Sequence, residues 1–475
     1  MLERLYPIMF LIYSLFFTVG VILAAPYYLW RLRGHILSGA DWRERFGFLP
    51  DSLQQTAVPR QPGGPAGGPP AFGSRSPAAI WIHAVSVGET LAVTGLVREI
   101  QQRYPDRKIF MSHVTPAGRE TGEKRLPSAG VSARGGEHAG TAVPPRLAGR
   151  FFLPLDWGSC VRRVVKRIQP AVLIIVETEL WPNLVRVAHR SGARVVLVNA
   201  RLSDGSFRGY KRFGFFMRRV LDNVDLVCAQ TERDAERFRL LGVPRDRVMV
   251  AGNLKFDTAP PQLGRLAAVL KTALREAQRG PVVVAGSTMP GEEELVLQAW
   301  QQIRSHFPKA MLILAPRHPN RFEAAAQLLS QQRLPFIRRT ELETDQQQLY
   351  RQLINPEIML LNTIGELAGI FELADVVFVG GSLVPTGGHN VLEPVYWGKP
   401  TLFGPFMDNF RDIARMFTEA GAAMQVGNAT ELARSVIQLL GDTTLQREIA
   451  GRAKQLLHTE SGVTERVLEQ IDRLL

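Results

Sequence analysis

A chain of 475 residues, 45% of them hydrophobic, buries a large core and is long for one domain, which excludes a disordered chain or a small disulfide-stapled one. Its only cysteines, Cys160 and Cys228, have no close His or Cys to complete a tetrahedral set, so neither a disulfide framework nor a zinc site is supported, and a reducing compartment fits. The net charge of +13 indicates acidic partners, but the scattered Lys and Arg form no nucleic-acid module, which leaves anionic lipid and phosphorylated metabolites.

Residues 7–30, "PIMFLIYSLFFTVGVILAAPYYLW", carry no charge and are long enough to cross a bilayer as a helix. Arg31, Arg33, Arg43 and Arg45 follow directly, so the positive-inside rule keeps the bulk of the chain in the cytoplasm. The reading is a single-pass anchor that takes no part in the chemistry; a cleaved signal peptide and a partly inserted helix are the alternatives. Residues 52–78 and 127–150 are rich in Pro, Gly and small residues without helix or strand periodicity, and are read as flexible surface insertions.

The remainder alternates apolar runs with amphipathic stretches. "IWIHAV" precedes a helix at 90–103, "KIFMSHV" one at 116–125, "AVLIIVE" one at 180–190, "RVVLVNA" one at 206–222 and "DLVCAQ" one at 232–241. The pattern resumes with "PVVVAGS", "AMLILAP", "EIMLLN", "DVVFVGG" and "KPTLFG". Continuous apolar strands separated by helices mean parallel sheets covered on both faces. The chain is therefore expected to be α/β, with an anchor segment at 1–33, a doubly wound domain at 34–262 and a second at 263–475, joined near "FDTAPPQLGR". In such sheets ligands bind beyond the carboxyl ends of the strands.

Several strand ends carry chemistry. "HAVSVGET" places Glu89 one residue after a glycine, in a strand-to-helix turn where the helix dipole should lower its pKa. "IIVETELWPN" ends a deeply apolar strand with Glu177 and Glu179, and "VAGNLKFD" ends another with Lys255; charges there need partners or a function. On this fold Glu89, Glu177 and Lys255 are expected to face an interdomain cleft, although a structural ion-pair network explains them equally well. In the second half "LAPRHPNRF" puts Arg317 and His318 just after a strand, where a guanidinium can pair with phosphate. "NTIGELAGIF" puts Gly365 and Glu366 at a helix start, where main-chain groups can read a base. "VFVGGSLVPTGGHNVLEP" runs from a strand through two glycine pairs into a helix beginning near Asn390. Amides of Gly387 and Gly388 can approach an anion there, and Glu393 can accept from ribose hydroxyls. No P-loop, no D-x-D and no nucleophile elbow is present, which argues against a carboxylate-held divalent metal and against Ser86 as a hydrolase nucleophile.

Taken together, "HAVSVGET", "ETELWPN", "NARLSDGS", "GNLKFD", "APRHPNRF" and "VGGSLVPTGGHNVLEPVYWGKP" resemble the Kdo transferases of lipopolysaccharide synthesis, which use the GT-B glycosyltransferase fold of two Rossmann-like domains facing a cleft. The resemblance spans nearly the whole chain, anchor included, and departs from the family in the two Pro/Gly-rich insertions. It implies inverting, metal-independent transfer of 3-deoxy-D-manno-octulosonic acid (Kdo) from CMP-Kdo to a lipid A precursor, lipid IVA, at the cytoplasmic side of the cell inner membrane, with no cofactor and no nucleic-acid partner. By that likeness Glu89 is the general base, and Glu177 and Lys255 assist the transition state. The CMP contacts fall on Pro316 and Arg317, on Ile364, Gly365 and Glu366, and on Asn390, Val391, Leu392 and Glu393, with Ser287, His318, Gly387 and Gly388 beside them. Another GT-B enzyme acting on a UDP-sugar, or a membrane-tethered nucleotide-binding protein without catalysis, are the alternative functions; the second has no need of Glu89.

Overall fold

The computed structural model describes residues 2–31, 39–50, 53, 79–126, 147–258, 264–343 and 346–475. The stretches expected to be insertions lie almost entirely outside these residues. The second ends earlier than its composition suggests, because Gly149–Phe152 is an edge strand. Gly149 belongs there for packing: a Cβ would collide with the side chain of Leu53.

The chain folds into two compact units, Met1–Thr258 with Ser461–Leu475, and Ala259–Glu460. The first is built on a sheet of β1 (Ala79–His83), β2 (Ile109–His113), β3 (Gly149–Phe152), β4 (Pro170–Val176), β5 (Arg194–Ala200), β6 (Leu226–Ala229) and β7 (Val248–Val250), in the spatial order β3-β2-β1-β4-β5-β6-β7. Every pairing is parallel. The continuous apolar runs are explained by burial on both faces. Along β4, Leu173 and Ile175 enter one core cluster while Val172, Ile174 and Val176 enter the other.

The second unit repeats the plan with β8 (Val282–Thr288), β9 (Met311–Pro316), β10 (Phe336–Arg338), β11 (Ile358–Leu360), β12 (Val376–Val379), β13 (Thr401–Phe403) and β14 (Met424–Gln425), ordered β10-β11-β9-β8-β12-β13-β14 and again all parallel. In each sheet the winding reverses between two adjacent strands, β1 and β4 in the first and β8 and β12 in the second. The loops leaving those strands diverge, and the crevice so formed is where a doubly wound sheet takes its ligand.

Two features differ from the sequence reading. The final helix, Val463–Leu474, was expected with the second domain but packs on the first unit, against helix Thr94–Arg103 and the turn Leu254–Asp257. Its apolar residues Val463, Val467, Leu468 and Ile471 join the same core cluster as Leu96, Val97 and Ile100. Asp257 fastens the entry by accepting from the amides of Gly462 (2.7 Å) and Thr464. The first helix, Leu2–Arg31, contains a segment long and apolar enough to cross a membrane, Ile8–Pro26 with mean hydropathy 2.4. One stripe of it is nevertheless fixed to the first unit. Phe10 is 1% exposed and packs on Phe216, with the Arg186 guanidinium over its ring, 4.2 Å from the ring centre. Tyr13 Oη donates to Asp156 (2.9 Å), Asn183 Nδ2 donates to Ser14 Oγ (3.0 Å) and Trp157 Nε1 donates to Thr18 Oγ1 (2.9 Å). Leu11, Leu15, Phe16, Ile22 and Leu23 point away, exposed.

Candidate active site

In the first unit the crevice between β1 and β4 gathers carboxylates. After His83 the chain makes one turn and enters helix Val87–Ala92, whose N-cap is Ser86 and whose third residue is Glu89. The Ser86 hydroxyl donates to Glu89 Oε1 (2.8 Å) and the Val85 amide donates to Oε2 (2.7 Å), so the carboxylate is held at both oxygens. The lowered pKa expected from the helix dipole is not what this setting gives. Glu89 is 7% exposed, and burial pushes its pKa up to about 7, against the two hydrogen bonds and with help from the negative charges of Glu177 and Glu179. Desolvation outweighs a first-turn dipole of a six-residue helix.

Glu177 and Glu179 follow β4 directly. Glu177 has a left-handed backbone (φ 58°), unusual for a side chain of its size, and its amide donates to Val198 O (2.8 Å). Its carboxylate accepts from Arg201 Nε at 3.0 Å. Thr178 and Arg201 also exchange hydrogen bonds through Thr178 Oγ1, so the ends of β4 and β5 are tied side by side. Among the described residues no cation pairs with Glu179: burial, then the neighbouring Glu177, raise its pKa, and its charge raises that of Tyr210. The structure thus brings Glu89, Glu177 and Glu179 together, with Arg201 as a partner the sequence reading left out although it stands in "NARLSDGS". Lys255 sits on the turn Leu254–Asp257, which packs against helix Val87–Ala92 and is anchored by Leu254 N donating to Asn199 Oδ1 (3.0 Å). Beneath this loop His83 and His113 are buried and neutral, their pKa values lowered by desolvation to about 3 and about 4.

In the second unit the crevice lies between β8 and β12. Ser287, near the end of β8, is left-handed (φ 59°), and the amide of Arg317, just past Pro316 at the end of β9, donates to Thr288 O (2.9 Å). Arg317 and His318 are exposed and close enough to His389 to act on it: burial first, then Arg317 and His318, lower the His389 pKa to about 4. That convergence joins "APRHPNRF" to "GGHN". The glycines of the latter also meet a packing and backbone requirement. Gly387 (φ 94°) and Gly388 (φ 71°) need left-handed backbone, and a Cβ would meet Asn409 Nδ2 at 2.6 Å on the first and Met407 Sδ on the second. The helix that follows, Leu392–Tyr396, is a single turn and starts two residues later than expected, so its dipole is small. Asn390 Oδ1 accepts from the Leu392 amide (3.1 Å), and Asn390 Nδ2 donates to Glu393 (3.3 Å). Val391 and Leu392 are buried. Glu366 pairs in a fork with Arg339 (3.0 and 3.1 Å), while Ile364 beside Gly365 (φ 94°) is exposed. Trp397 Nε1 donates to Ala368 O (2.7 Å), drawing the 364–368 and 390–397 segments together. Among the described residues no three His, Cys, Asp or Glu side chains form a metal-binding group.

Residues 40–258 match the profile of 3-deoxy-D-manno-octulosonic-acid transferase (kdotransferase). The 3-deoxy-D-manno-octulosonic acid transferase of Haemophilus influenzae is 32% identical over 395 residues, covering 83% of this chain and 86% of that one. That of Bordetella pertussis is 31% identical over 84% of this chain and 89% of its own. Among solved structures, Anabaena HepE in complex with UDP (TM-score 0.51, 15% identity, 83% of this chain and all of that one) shares the fold. So does UDP-GlcNAc 2-epimerase from Neisseria meningitidis (TM-score 0.53, 12% identity, 83% of this chain and all of that one). Both are of the GT-B kind, two doubly wound units in one chain, as here. With two parallel seven-stranded sheets, charged residues at both switch points and relatives alike over most of their length, this chain belongs to the Kdo transferase family of glycosyltransferases.

Proposed function

We propose that the chain transfers Kdo from CMP-Kdo to a lipid A precursor, lipid IVA, in one inverting displacement that uses no metal, with Glu89 as general base. The observation that carries this is the Glu89 carboxylate, held at both oxygens at the first switch point with a pKa raised to about 7, beside Glu177 and Glu179. A base works best when its pKa is near the working pH: enough of it is ionised, and it binds the proton firmly. Glu89 takes the proton from the acceptor hydroxyl as that oxygen attacks the anomeric carbon. The Arg201 cation fixes Glu177 in its left-handed position, and Glu177 and Lys255 stabilise charge that develops in the transition state.

On the donor side Arg317 meets the phosphate, and the main chain at Pro316, at 364–366 and at 390–393 lines the nucleotide, with Ser287, His318, Gly387 and Gly388 adjacent. A cytidylate leaving group departs with less acid help than an alkoxide, so one carboxylate suffices where glycoside hydrolysis uses two. The first helix and the arginines that follow it hold the protein at the cytoplasmic face of the inner membrane, where the lipid acceptor is.

Incubating the purified full chain with CMP-Kdo and a tetraacylated lipid A precursor in EDTA, then weighing the lipid by mass spectrometry, tests the reading. The expected product is heavier by whole Kdo residues. A UDP-sugar donor used in preference to CMP-Kdo, or activity that chelation abolishes and Mg²⁺ restores, contradicts it.

A further inference from the structure

Glu292 is fully buried at the start of helix Glu292–His306, directly after the β8 loop. Burying a carboxylate is costly unless its oxygens are satisfied. Here both are. Oε1 accepts from the amides of Ser382 (3.0 Å) and Leu383 (2.8 Å), and Oε2 from those of Gly381 (2.6 Å) and Met289 (3.1 Å). Three of the four donors are successive amides of the loop leaving β12. Successive amides turned to one point form an anion-binding concavity, and the protein fills this one with its own carboxylate.

The location decides what that does. β8 and β12 are the strands between which the second sheet reverses, so Glu292 staples together the two loops that border the donor crevice. From the stapled amides the order passes on through short contacts. Gly381 O accepts from Gly388 N (2.7 Å) and from Thr386 Oγ1 (2.9 Å). A Cβ on Gly381 would meet the His389 ring at 2.8 Å. Ser382 Oγ accepts from Gly404 N (2.8 Å), and Ser382 O accepts from Phe406 N (2.9 Å), which places the 406–409 segment against Gly387 and Gly388. Gly380 is required by the same closeness, since its Cβ would lie 2.8 Å from Glu292 Oε2 and 2.7 Å from Ser287 O.

We infer that Glu292 is a positioning residue for the donor: by occupying the amides of Gly381, Ser382 and Leu383 it sets the course of residues 384–393 and so the geometry in which the nucleotide is held. This rests on the assignment of the CMP site to that segment. Glu292 has no part in the chemical step, so its loss is read in donor binding rather than in turnover.

Glu292→Gln keeps the volume but turns an NH₂ toward two amide donors whichever way it is flipped, whereas Glu292→Asp keeps the charge and draws it back by one methylene. Glu293→Gln is the control. Its carboxylate is equally buried and pairs with Arg321 (3.2 Å), with no hydrogen bond to the β12 loop, so it loses stability without disturbing that loop. CMP affinity is measured by calorimetry on the full chain, with KM for CMP-Kdo, kcat at saturating donor and melting temperature on each variant. The expected result is CMP binding by the wild type, a loss of roughly tenfold or more in CMP affinity with a matching rise in KM for Glu292→Gln, a smaller effect of the same kind for Glu292→Asp, and kcat within about threefold. Glu293→Gln should match the fall in melting temperature with CMP affinity unchanged. Should Glu292→Gln not fold, Glu292→Asp carries the comparison alone. CMP affinity equal to wild type in either folded Glu292 variant, or lost equally in Glu293→Gln, overturns the inference while leaving the donor assignment standing. Failure of the wild type to bind CMP overturns the donor assignment and this inference with it.

Discussion

Glu89 sets two demands against each other. Its folded pKa, about 7, lies above the ordinary 4.5 because burial favours the protonated form. The resulting contribution to stability is therefore present in full below about 4.5 and is lost as pH rises through about 7. The proposed role as base needs the opposite form, so kcat should climb with pH through about 7 and level off above it. Glu89→Gln keeps the size and both hydrogen bonds, since its oxygen can accept from Val85 and its amide can donate to Ser86. It should lower kcat by roughly 10²–10⁴, abolish the step near neutral pH, and raise the melting temperature at alkaline pH, where the wild type carries a buried charge. Glu89→Asp should keep more activity than Gln. Rate and melting temperature followed from about pH 5 to about pH 9 check all of this; near-normal kcat in the Gln variant removes Glu89 from the mechanism. The residue was legible because it follows "SVG" at a strand end. Its pKa was not, because what raises it is burial together with Glu177 and Glu179, which stand some ninety positions away in the chain and meet Glu89 only once β4 lies beside β1. The same holds for Arg201 and Glu292, whose importance rests on a partner that local pattern does not reveal.

At the scale of elements, the long strands announced themselves as unbroken apolar runs because both their faces are covered. Three short ones did not. β10 has three residues, β14 has two, and β3 lies at the end of a Pro/Gly-rich stretch; all three stand at sheet edges where one neighbour suffices and little apolar area is needed. The first helix shows a related limit: hydropathy, which marks it as an apolar span, averages over its circumference and does not reveal that Tyr13, Ser14 and Thr18 mark the stripe that binds the first unit through Asp156, Asn183 and Trp157. Burial raises the Asp156 pKa to about 7, and the Tyr13 hydroxyl is among the donors that oppose this. The docked stripe makes part of this helix a structural element of the fold. Phe10→Ala should destabilise the protein in detergent by about 3 kcal/mol or more, whereas Phe16→Ala, at a position 71% exposed, should change stability by no more than about 0.5 kcal/mol. Urea unfolding of the two variants decides it. Equal, negligible effects would mean a helix that hangs free of the domain.

At the scale of the whole molecule, the alternation of strands and helices foretold two parallel sheets, and both sheets have their charged residues at the switch point. What alternation does not show is a chain that leaves its first unit after Thr258 and returns to it at Ser461. The returning helix is amphipathic and reads like any other; only contact with residues more than two hundred positions earlier assigns it. The site's chemistry has a consequence that no single substitution tests as directly. On the proposed reaction Glu89 acts as base and no carboxylate acts as nucleophile, which means a single displacement, and a single displacement inverts the reacting carbon. The decisive measurement is the anomeric configuration of the product, read by NMR after transfer of Kdo enriched in ¹³C at its anomeric carbon from CMP-Kdo to the lipid A precursor. Direct attack assisted by Glu89 predicts a linkage opposite in configuration to that of the donor. A product that retains the donor's configuration would require a glycosyl-enzyme intermediate on one of the neighbouring carboxylates, and would contradict the account.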